Sequence, residues 1–197
     1  MTSKSPQNWD ELLQDMRGCE QNQGQNVYQH GESVYRHLIE LLDHMKGSDL
    51  KEWRLPKWIE EYKQKLLANI YSEDDVKQYT LYHDCGKPYC KVSEGGVNHF
   101  PNHAQISKET WLHLGGDPIV ANLIGWDMVI HTATSIEIEE YLKLHWSCKD
   151  SITLLLVSLA EIHSNSKMFG GIDSISFKMK WKSVEKRGKQ ICKFWFN

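Results

Sequence analysis

Apolar residues recur along most of the chain three or four positions apart, which is the spacing of one face of an α-helix. The clearest stripe lies in residues 26–47, where Gly47 follows the last apolar position and is placed to end the helix. The stripe consists of Val27, Val34, Leu38, Leu41, Leu42 and Met45. This segment is therefore predicted to be an amphipathic helix with one buried face.

Two further helices are predicted from residues that favour a helix start. Ser72 precedes a run with acidic residues in its first turn, so residues 72–83 are predicted to form a helix capped by this serine. Asp117 is followed by Pro118, a combination typical of a cap and a first helical position. Residues 117–132 are accordingly predicted to form one helix.

Two more helices and one loop are predicted from the remaining segments. Residues 151–163 are apolar nearly all round, which indicates a central buried helix. Residues 183–196 show the pattern of a closing amphipathic helix. Residues 88–102 contain several glycines and prolines and are predicted to form a loop that could hold a small hairpin. Because no alternating strand pattern is apparent, the predicted class is all-α.

The length of 197 residues suits one domain and is short for two. We predict a single compact helical domain over residues 1–197, with a core of about 26–168 and a C-terminal segment, 174–197, packed on it. The longest apolar run, residues 154–157, is far too short to cross a bilayer, and no partner membrane is expected. The first twelve residues lack the apolar stretch of a secretory signal.

The five cysteines show no CxxC spacing. This usage argues against a disulfide framework or a zinc ribbon and favours a reducing compartment, so a cytoplasmic location is predicted. The ten histidines are numerous for this length. Histidine is the commonest metal ligand in proteins and the usual acid or base near neutral pH.

The net charge of −3 argues against a surface that binds nucleic acid as a whole, but the charge is uneven. Residues 178–193 carry seven lysines and arginines and one acid, Glu185. Trp181, Phe194 and Trp195 lie within or beside this basic tract. Basic and aromatic groups together suit a phosphate backbone with stacked bases. The alternative is a solvated lysine face above a buried aromatic stripe.

Several histidines and acids occupy positions on the apolar faces of predicted helices, with His131 four residues after Asp127 on the same face. A lone buried histidine is more often a satisfied core residue. Asp127 could bond a neighbouring helix, and Glu161 could pair with a lysine such as Lys167. Buried carboxylates are costly unless paired or bound to metal, and convergence on several helices favours a divalent metal site. The polar positions are His30, His37, His83, Asp127, His131 and Glu161.

Three short segments follow one another along the chain: HGESV at residues 30–34, HDCGKP at 83–88 and HFPNHAQIS at 99–107. Over residues 26 to about 168, these segments and their order resemble the HD-domain metal-dependent phosphohydrolases. HGESV resembles the first-helix signature of this family, and HDCGKP is similar to the HDxGKP form of its His-Asp doublet. HFPNHAQIS is similar to the segment that follows the doublet in HD domains of bacterial tRNA nucleotidyltransferases and of some RNA-end-processing phosphatases.

The resemblance implies a set of metal ligands for one or two ions. The final acid of the family is normally aspartate, and Glu161 stands at that place, so His163 or Asp127 could share its role. The mixed nitrogen and oxygen ligands suit Mn, Fe, Co, Ni or Zn, with Mg possible. His37, His99 and His113 are interpreted as structural or surface residues. The implied metal ligands are His30, His83, Asp84, His103, His131 and Glu161.

The resemblance also implies a chemistry. Asp84 could bridge two cations, Lys87 is placed to meet a phosphate, and Gly86 would let backbone approach the substrate. Asp127 could act as a general base or orient a histidine. The alternative for Lys87 is a solvated loop lysine. The catalytic candidates are Asp84, Lys87 and Asp127, and the substrate-binding candidates are Lys87 and Gly86.

The expected activity is hydrolysis of a phosphate ester by metal-activated water. The expected partner is a phosphorylated small molecule or a nucleotide or RNA end, as a phosphomonoester or 2′,3′-cyclic phosphate. Two alternatives remain open at this point. One is a phosphodiesterase or nucleotidohydrolase of a signalling nucleotide, and the other is a non-catalytic nucleotide-binding module, because fold does not settle function.

Overall fold

A computed structural model describes residues 5–22 and 24–197. Of the residues that the structure describes, 67% are helical, and four short strands are also present. The predicted all-α class is therefore confirmed in the coarser form of a mostly-α class. Within the described residues, no helix combines the length and apolar character needed to cross a membrane. The residues divide into two compact units, one made of the chain up to Ser33 with Glu73–Asp127, the other of Val34–Ser72 with Met128–Asn197.

Helices of 4 to 22 residues and two pairs of short strands follow one another along the described part of the chain. The first half contains α1 (Trp9–Gly18), β1 (Glu20–Asn22), β2 (Gln25–Asn26), α2 (Val27–Met45), α3 (Lys57–Ala68), α4 (Glu73–Tyr82), α5 (Lys87–Cys90), β3 (Val92–Glu94) and β4 (Val97–His99). The second half contains α6 (His103–His113), α7 (Pro118–Trp126), α8 (Val129–Thr132), α9 (Ser135–Leu144), α10 (Cys148–Ser164) and α11 (Ile175–Phe196).

The first unit is built around the packing of α7 against α4 and α6. Three aromatic rings also pack together in this unit. The ring centroid of Trp111 lies 4.9 Å from that of Trp9 and 5.1 Å from that of Tyr82. A small core cluster joins α1 to the start of α2 and to the turn before α5. Its buried members are Leu12, Met16, Cys19, Val27 and Cys85.

The second unit has α10 at its centre, as predicted for residues 151–163, and α8 and α11 pack against it. The closing helix α11 is longer than predicted because it begins at Ile175, where the Ser174 hydroxyl accepts a hydrogen bond from the Phe177 amide. It packs on α3 at Gly188, where an added Cβ would lie 2.5 Å from ring atoms of Trp58. Glycine is therefore required at this crossing.

The predicted single helix over residues 117–132 is wrong in its second half. It begins as predicted, with the Asp117 carboxylate accepting from the Ile119 amide at 2.6 Å. It then ends at Trp126, and a separate turn, α8, follows from Val129. The amide of Asp127 bonds to the carbonyl three residues earlier, which tightens the backbone and ends the regular α-helical pattern.

The loop predicted over residues 88–102 contains more order than expected. It opens with the short helix α5, so Lys87 begins a helix and not a loop. The expected hairpin is present as β3 and β4, with Val92 opposite His99 and Glu94 opposite Val97. A second two-stranded hairpin, β1–β2, was not predicted, because its strands are only three and two residues long.

Candidate metal centre

His83 is held in one orientation by the backbone of α4. This helix ends at Tyr82, so His83 and Asp84 lie in the turn that leads to α5. The Nδ1 atom of His83 is 2.9 Å from the carbonyl oxygen of Thr80. A carbonyl only accepts, so Nδ1 carries the proton and donates it there. The other nitrogen, Nε2, lies 3.2 Å from Oδ2 of Asp84.

His103 repeats this arrangement on the other carboxylate oxygen. Its Nδ1 lies 3.0 Å from the Phe100 carbonyl oxygen and donates to it. Its Nε2 lies 3.5 Å from Oδ1 of Asp84. The preceding residue, Asn102, has a φ of 55°, a left-handed conformation that asparagine adopts more readily than most residues. This conformation starts α6 with His103 at its first position.

His30 reaches the same aspartate from α2. It is fully buried, and its Nε2 lies 3.8 Å from Oδ2 of Asp84. Its ring centroid is 5.2 Å from that of His83. The approach of α2 to α4 depends on the next residue, Gly31, because an added Cβ would lie 2.5 Å from the Leu81 carbonyl oxygen.

Asp84 is the buried anion at the centre of this group. The Lys87 ammonium donates to its Oδ2 at 2.6 Å. Burial raises the pKa of Asp84, but Lys87, His83 and His30 outweigh it and hold the pKa well below the usual range. Lys87 is itself only 8% exposed, and its ammonium lies 5.2 Å from the ring centre of Phe100. The interpretation of Lys87 as a solvated loop lysine is therefore wrong.

The fixed tautomers decide what this arrangement can hold. Since Nδ1 of His83 and of His103 donates to a carbonyl, the Nε2 atom of each neutral ring presents a lone pair toward the oxygens of Asp84. Lone pairs facing a carboxylate repel it unless a proton or a cation lies between them. A hydrogen bond from Nδ1 to a backbone carbonyl is also the usual support for a metal-binding imidazole. The donor set thus fits a divalent cation.

Other candidate ligands lie in the second unit. Of the side chains able to contribute a metal-binding atom, His30 and His83 belong to the first unit and Glu161 belongs to the second. In the second unit, Oε2 of Glu161 lies 2.8 Å from Nε2 of His131. Both side chains are largely buried, at 17% and 13% exposure. The break before α8 means that His131 is not on the same helix as Asp127, contrary to the prediction.

Arg187 of α11 fixes the segment that carries His131. Its guanidinium donates to the carbonyl oxygens of Ile130, His131 and Ala133 at 2.8–3.2 Å. These carbonyls form the end of α8, where the helix leaves them without partners of its own. Burial lowers the pKa of Arg187, but arginine stays charged in proteins. One basic residue of the C-terminal tract is therefore structural.

Replacing Arg187 with methionine should lower the free energy of unfolding by about 1–3 kcal/mol, because buried carbonyls lose a charged donor. Urea unfolding of the purified protein measures this loss. Lys186→Met is the matched control, since Lys186 is exposed on the same helix. Equal midpoints for the two variants would show that the guanidinium contacts do not hold α8.

His163 does not fit the ligand role left open for it. Its Nδ1 lies 2.7 Å from the Leu159 carbonyl, and its Nε2 accepts from the Arg54 amide at 3.1 Å. Both nitrogens are thus used, and no lone pair remains for a metal ion. Burial lowers the pKa of His163 to about 4, which keeps the ring neutral. The ring also stacks on Trp53, with centroids 4.0 Å apart.

Replacing His163 with leucine should lower the free energy of unfolding by about 1–3 kcal/mol, because the Arg54 amide and the Leu159 carbonyl lose their partner. Glutamine offers both a donor and an acceptor, so His163→Gln should lose less. Thermal unfolding at neutral pH compares the two variants. If the leucine variant is as stable as the glutamine variant, the hydrogen bonds of His163 to Arg54 and Leu159 do not stabilise the fold.

Other residues singled out in the sequence make contacts within their own unit. Asp127 is buried, and its Oδ1 accepts from the Tyr79 hydroxyl at 2.6 Å. Gly86 packs against α6, where an added Cβ would lie 2.4 Å from the Ser107 amide nitrogen. Packing therefore requires glycine at this position. In the basic tract, the indole nitrogens of Trp181 and Trp195 donate to Arg54 and Ser151, which ties both rings to the second unit.

The sequence analysis predicted no role for two residues that support the histidines, Thr80 and Phe100. Phe100 supplies the carbonyl for His103 and the ring beside Lys87. Thr80 supplies the carbonyl for His83. Backbone roles leave no mark on residue type, so Thr80 carried no signal. Phe100 did carry one, because an aromatic residue stood three positions before a candidate histidine ligand.

Comparison of the chain with protein-family models, with curated proteins and with solved structures finds no significant match.

Proposed function

We propose that the chain is a metal-dependent phosphohydrolase that cleaves a phosphate ester of a nucleotide or an RNA end, either a phosphomonoester or a 2′,3′-cyclic phosphate. The observation that carries this proposal is the setting of Asp84. Two histidines with fixed tautomers direct Nε2 at its two oxygens, and a buried lysine shares one of them. Such a concentration of ligand atoms and positive charge suits a metal ion and a phosphate together.

The ligand assignment follows the order of the residues in the resemblance. His30, His83 and Asp84 would hold one ion, with Glu161 as the final acid, and His103 and His131 would serve a second ion. The nitrogen and oxygen donors suit Mn, Fe, Co, Ni or Zn, and Mg is compatible with the carboxylates. A divalent cation bound by these residues would polarise a water molecule and would neutralise charge on the phosphoryl group.

The residues of the chain have separate tasks in this proposal. Lys87 can transfer its hydrogen bond from Asp84 to a phosphoryl oxygen, because its ammonium is a point charge on a flexible stem. The contact with Phe100 keeps that ammonium beside the aspartate. The Thr80 and Phe100 carbonyls keep the imidazoles of His83 and His103 from rotating. Asp127, held by Tyr79, is retained as the candidate general base or orienting group.

A second candidate is a nucleotide-binding module without catalysis. The Lys87–Asp84 pair and the His131–Glu161 pair favour it, since each carboxylate has a cationic or protonatable partner within the protein itself. Such a module would still bind phosphate at Lys87. It would not need a divalent ion.

The test is a measurement of metal content and hydrolysis on the same preparations. Bound transition metals are quantified, and phosphomonoester, phosphodiester, 2′,3′-cyclic and triphosphate substrates are assayed with Mn, Co and Ni. His83→Ala should lose both metal and activity, whereas His113→Ala, an exposed histidine on α6, should keep them. A wild type that binds no metal and hydrolyses nothing would favour the binding module. Full activity in His83→Ala would show that the site is misplaced.

A further inference from the structure

A cleft lies between the β3–β4 hairpin and the segment that leads to α6. Its volume is about 570 Å³, which is within the range of small-molecule sites. The proposed function gives it no role. Its lining residues are Val92, Glu94, His99, Phe100 and Pro101.

We infer that this cleft binds the base of a nucleotide substrate and selects bases that carry an exocyclic amino group, namely adenine, guanine and cytosine. The inference rests on the proposed function, because it places the phosphate of the same substrate at Lys87. It adds a substrate class and a set of specificity residues to that function.

Phe100 lies between the cleft and the residues around Asp84. Its ring lines the cleft and lies 5.2 Å from the Lys87 ammonium, while its carbonyl holds His103. A ligand that contacts this ring is therefore adjacent to the group proposed to bind phosphate. An aromatic face beside a phosphate site is the arrangement with which proteins commonly bind single nucleotides, by stacking on the base.

The hairpin presents its cleft-lining residues on one face. Val92 and Glu94 are two residues apart on β3, and His99 is directly opposite Val92, so their side chains point the same way. The other face is tied down, because Ser93 bonds Asn98, and Asn98 donates to the Glu20 carbonyl. The hairpin that forms the cleft wall is thus joined to β1 through Glu20.

The chemistry of the wall indicates the kind of base. Val92, Pro101 and the ring of Phe100 offer apolar surface for the flat faces of a heterocycle. Glu94 is exposed and adds a carboxylate, which only accepts hydrogen bonds when ionised. Of the donors on a nucleobase, an exocyclic amino group offers two N–H bonds, and pairing of a carboxylate with the cytosine amino group is established in base recognition. Uracil has no amino group, and its remaining donor is the single N3–H of the ring.

Hydrolysis kinetics with a matched substrate set test the inference. CMP, UMP and ribose 5-phosphate share a phosphate and differ in the base. The wild type should show a KM for CMP about tenfold below that for ribose 5-phosphate, as expected for one stacked base. Phe100→Leu should remove this preference, and Phe100→Tyr, which keeps an aromatic face, should retain it. Glu94→Gln should reduce the difference between the KM values for CMP and UMP, whereas Glu109→Gln on α6 should leave that difference unchanged.

A binding measurement separates the inference from the proposed function. Cytidine, which has no phosphate, should shift the amide NMR signals of residues 92–101 in the full chain, and more weakly in Phe100→Leu. If all three phosphates are hydrolysed with one KM and cytidine shifts nothing, the inference is overturned and the proposed function stands. If nothing is hydrolysed and cytidine still shifts the hairpin, the cleft is supported and the proposed function fails.

Discussion

Replacing Asp84 with asparagine should lower the free energy of unfolding by about 3–5 kcal/mol, the loss typical when one partner of a buried ion pair is removed. The reason is the lysine that remains. Lys87 is only 8% exposed and donates to this carboxylate at 2.6 Å, so the variant leaves a buried ammonium without its anion. Urea unfolding measures the loss. The same variant should bind no divalent metal ion, as measured by calorimetric titration.

A double variant separates stability from metal binding. Asp84→Asn with Lys87→Met removes both charges and should recover most of the lost stability, yet it should still fail to bind metal. Asp74→Asn is the matched control, because Asp74 is exposed and accepts from its helical neighbour Gln78. A double variant as unstable as the single one would contradict the buried pair, and metal binding by either Asp84 variant would contradict the ligand role.

Replacing Gly31 with alanine should lower the free energy of unfolding by about 1–3 kcal/mol, the usual cost of overpacking. The added Cβ would lie 2.5 Å from the carbonyl oxygen of Leu81 and 2.9 Å from its Cα. These are backbone atoms and cannot rotate away, so the contact between α2 and α4 must open. His30 precedes Gly31 and moves with it, and metal affinity should fall as well.

Gly18→Ala is the control for this substitution. Gly18 ends α1, and an added Cβ there would meet nothing within 4 Å. Thermal unfolding and metal titration of the two variants, side by side, give the comparison. If Gly31→Ala is as stable as Gly18→Ala and binds metal equally well, the close approach of α2 to α4 does not position His30.

The fold was predictable where a local signal coincided with the packing. Asp117 and Pro118 correctly predicted the start of α7. The nearly continuous apolar character of residues 151–163 correctly predicted a buried helix. The break after Trp126 gave no such signal, because the segment that follows keeps a helical apolar spacing and has no proline. The early start of α11 at Ile175 depended on a serine cap that the apolar pattern alone does not reveal.

The candidate site was predictable in its residue types more than in its contacts. The sequence positions and the resemblance predicted four of the ligands: His30, His83, Asp84 and His103. In the first unit, the three histidines lie around the Asp84 carboxylate. The burial of Lys87 could not be predicted, since a lysine in a glycine turn usually faces solvent. It follows from the contacts with Asp84 and Phe100, which only the folded chain brings together.

His83 and His103 should offer Nε2 to a metal ion while Nδ1 stays bonded to a carbonyl. The most direct test is ¹⁵N NMR of the histidine side chains during titration with zinc. We expect Nδ1 of both rings to be protonated throughout, and the Nε2 signals of both rings to shift as zinc binds. If the protein takes up zinc with the Nε2 signals of His83 and His103 unchanged, or if either Nδ1 carries no proton, these two imidazoles are not the metal ligands proposed for them.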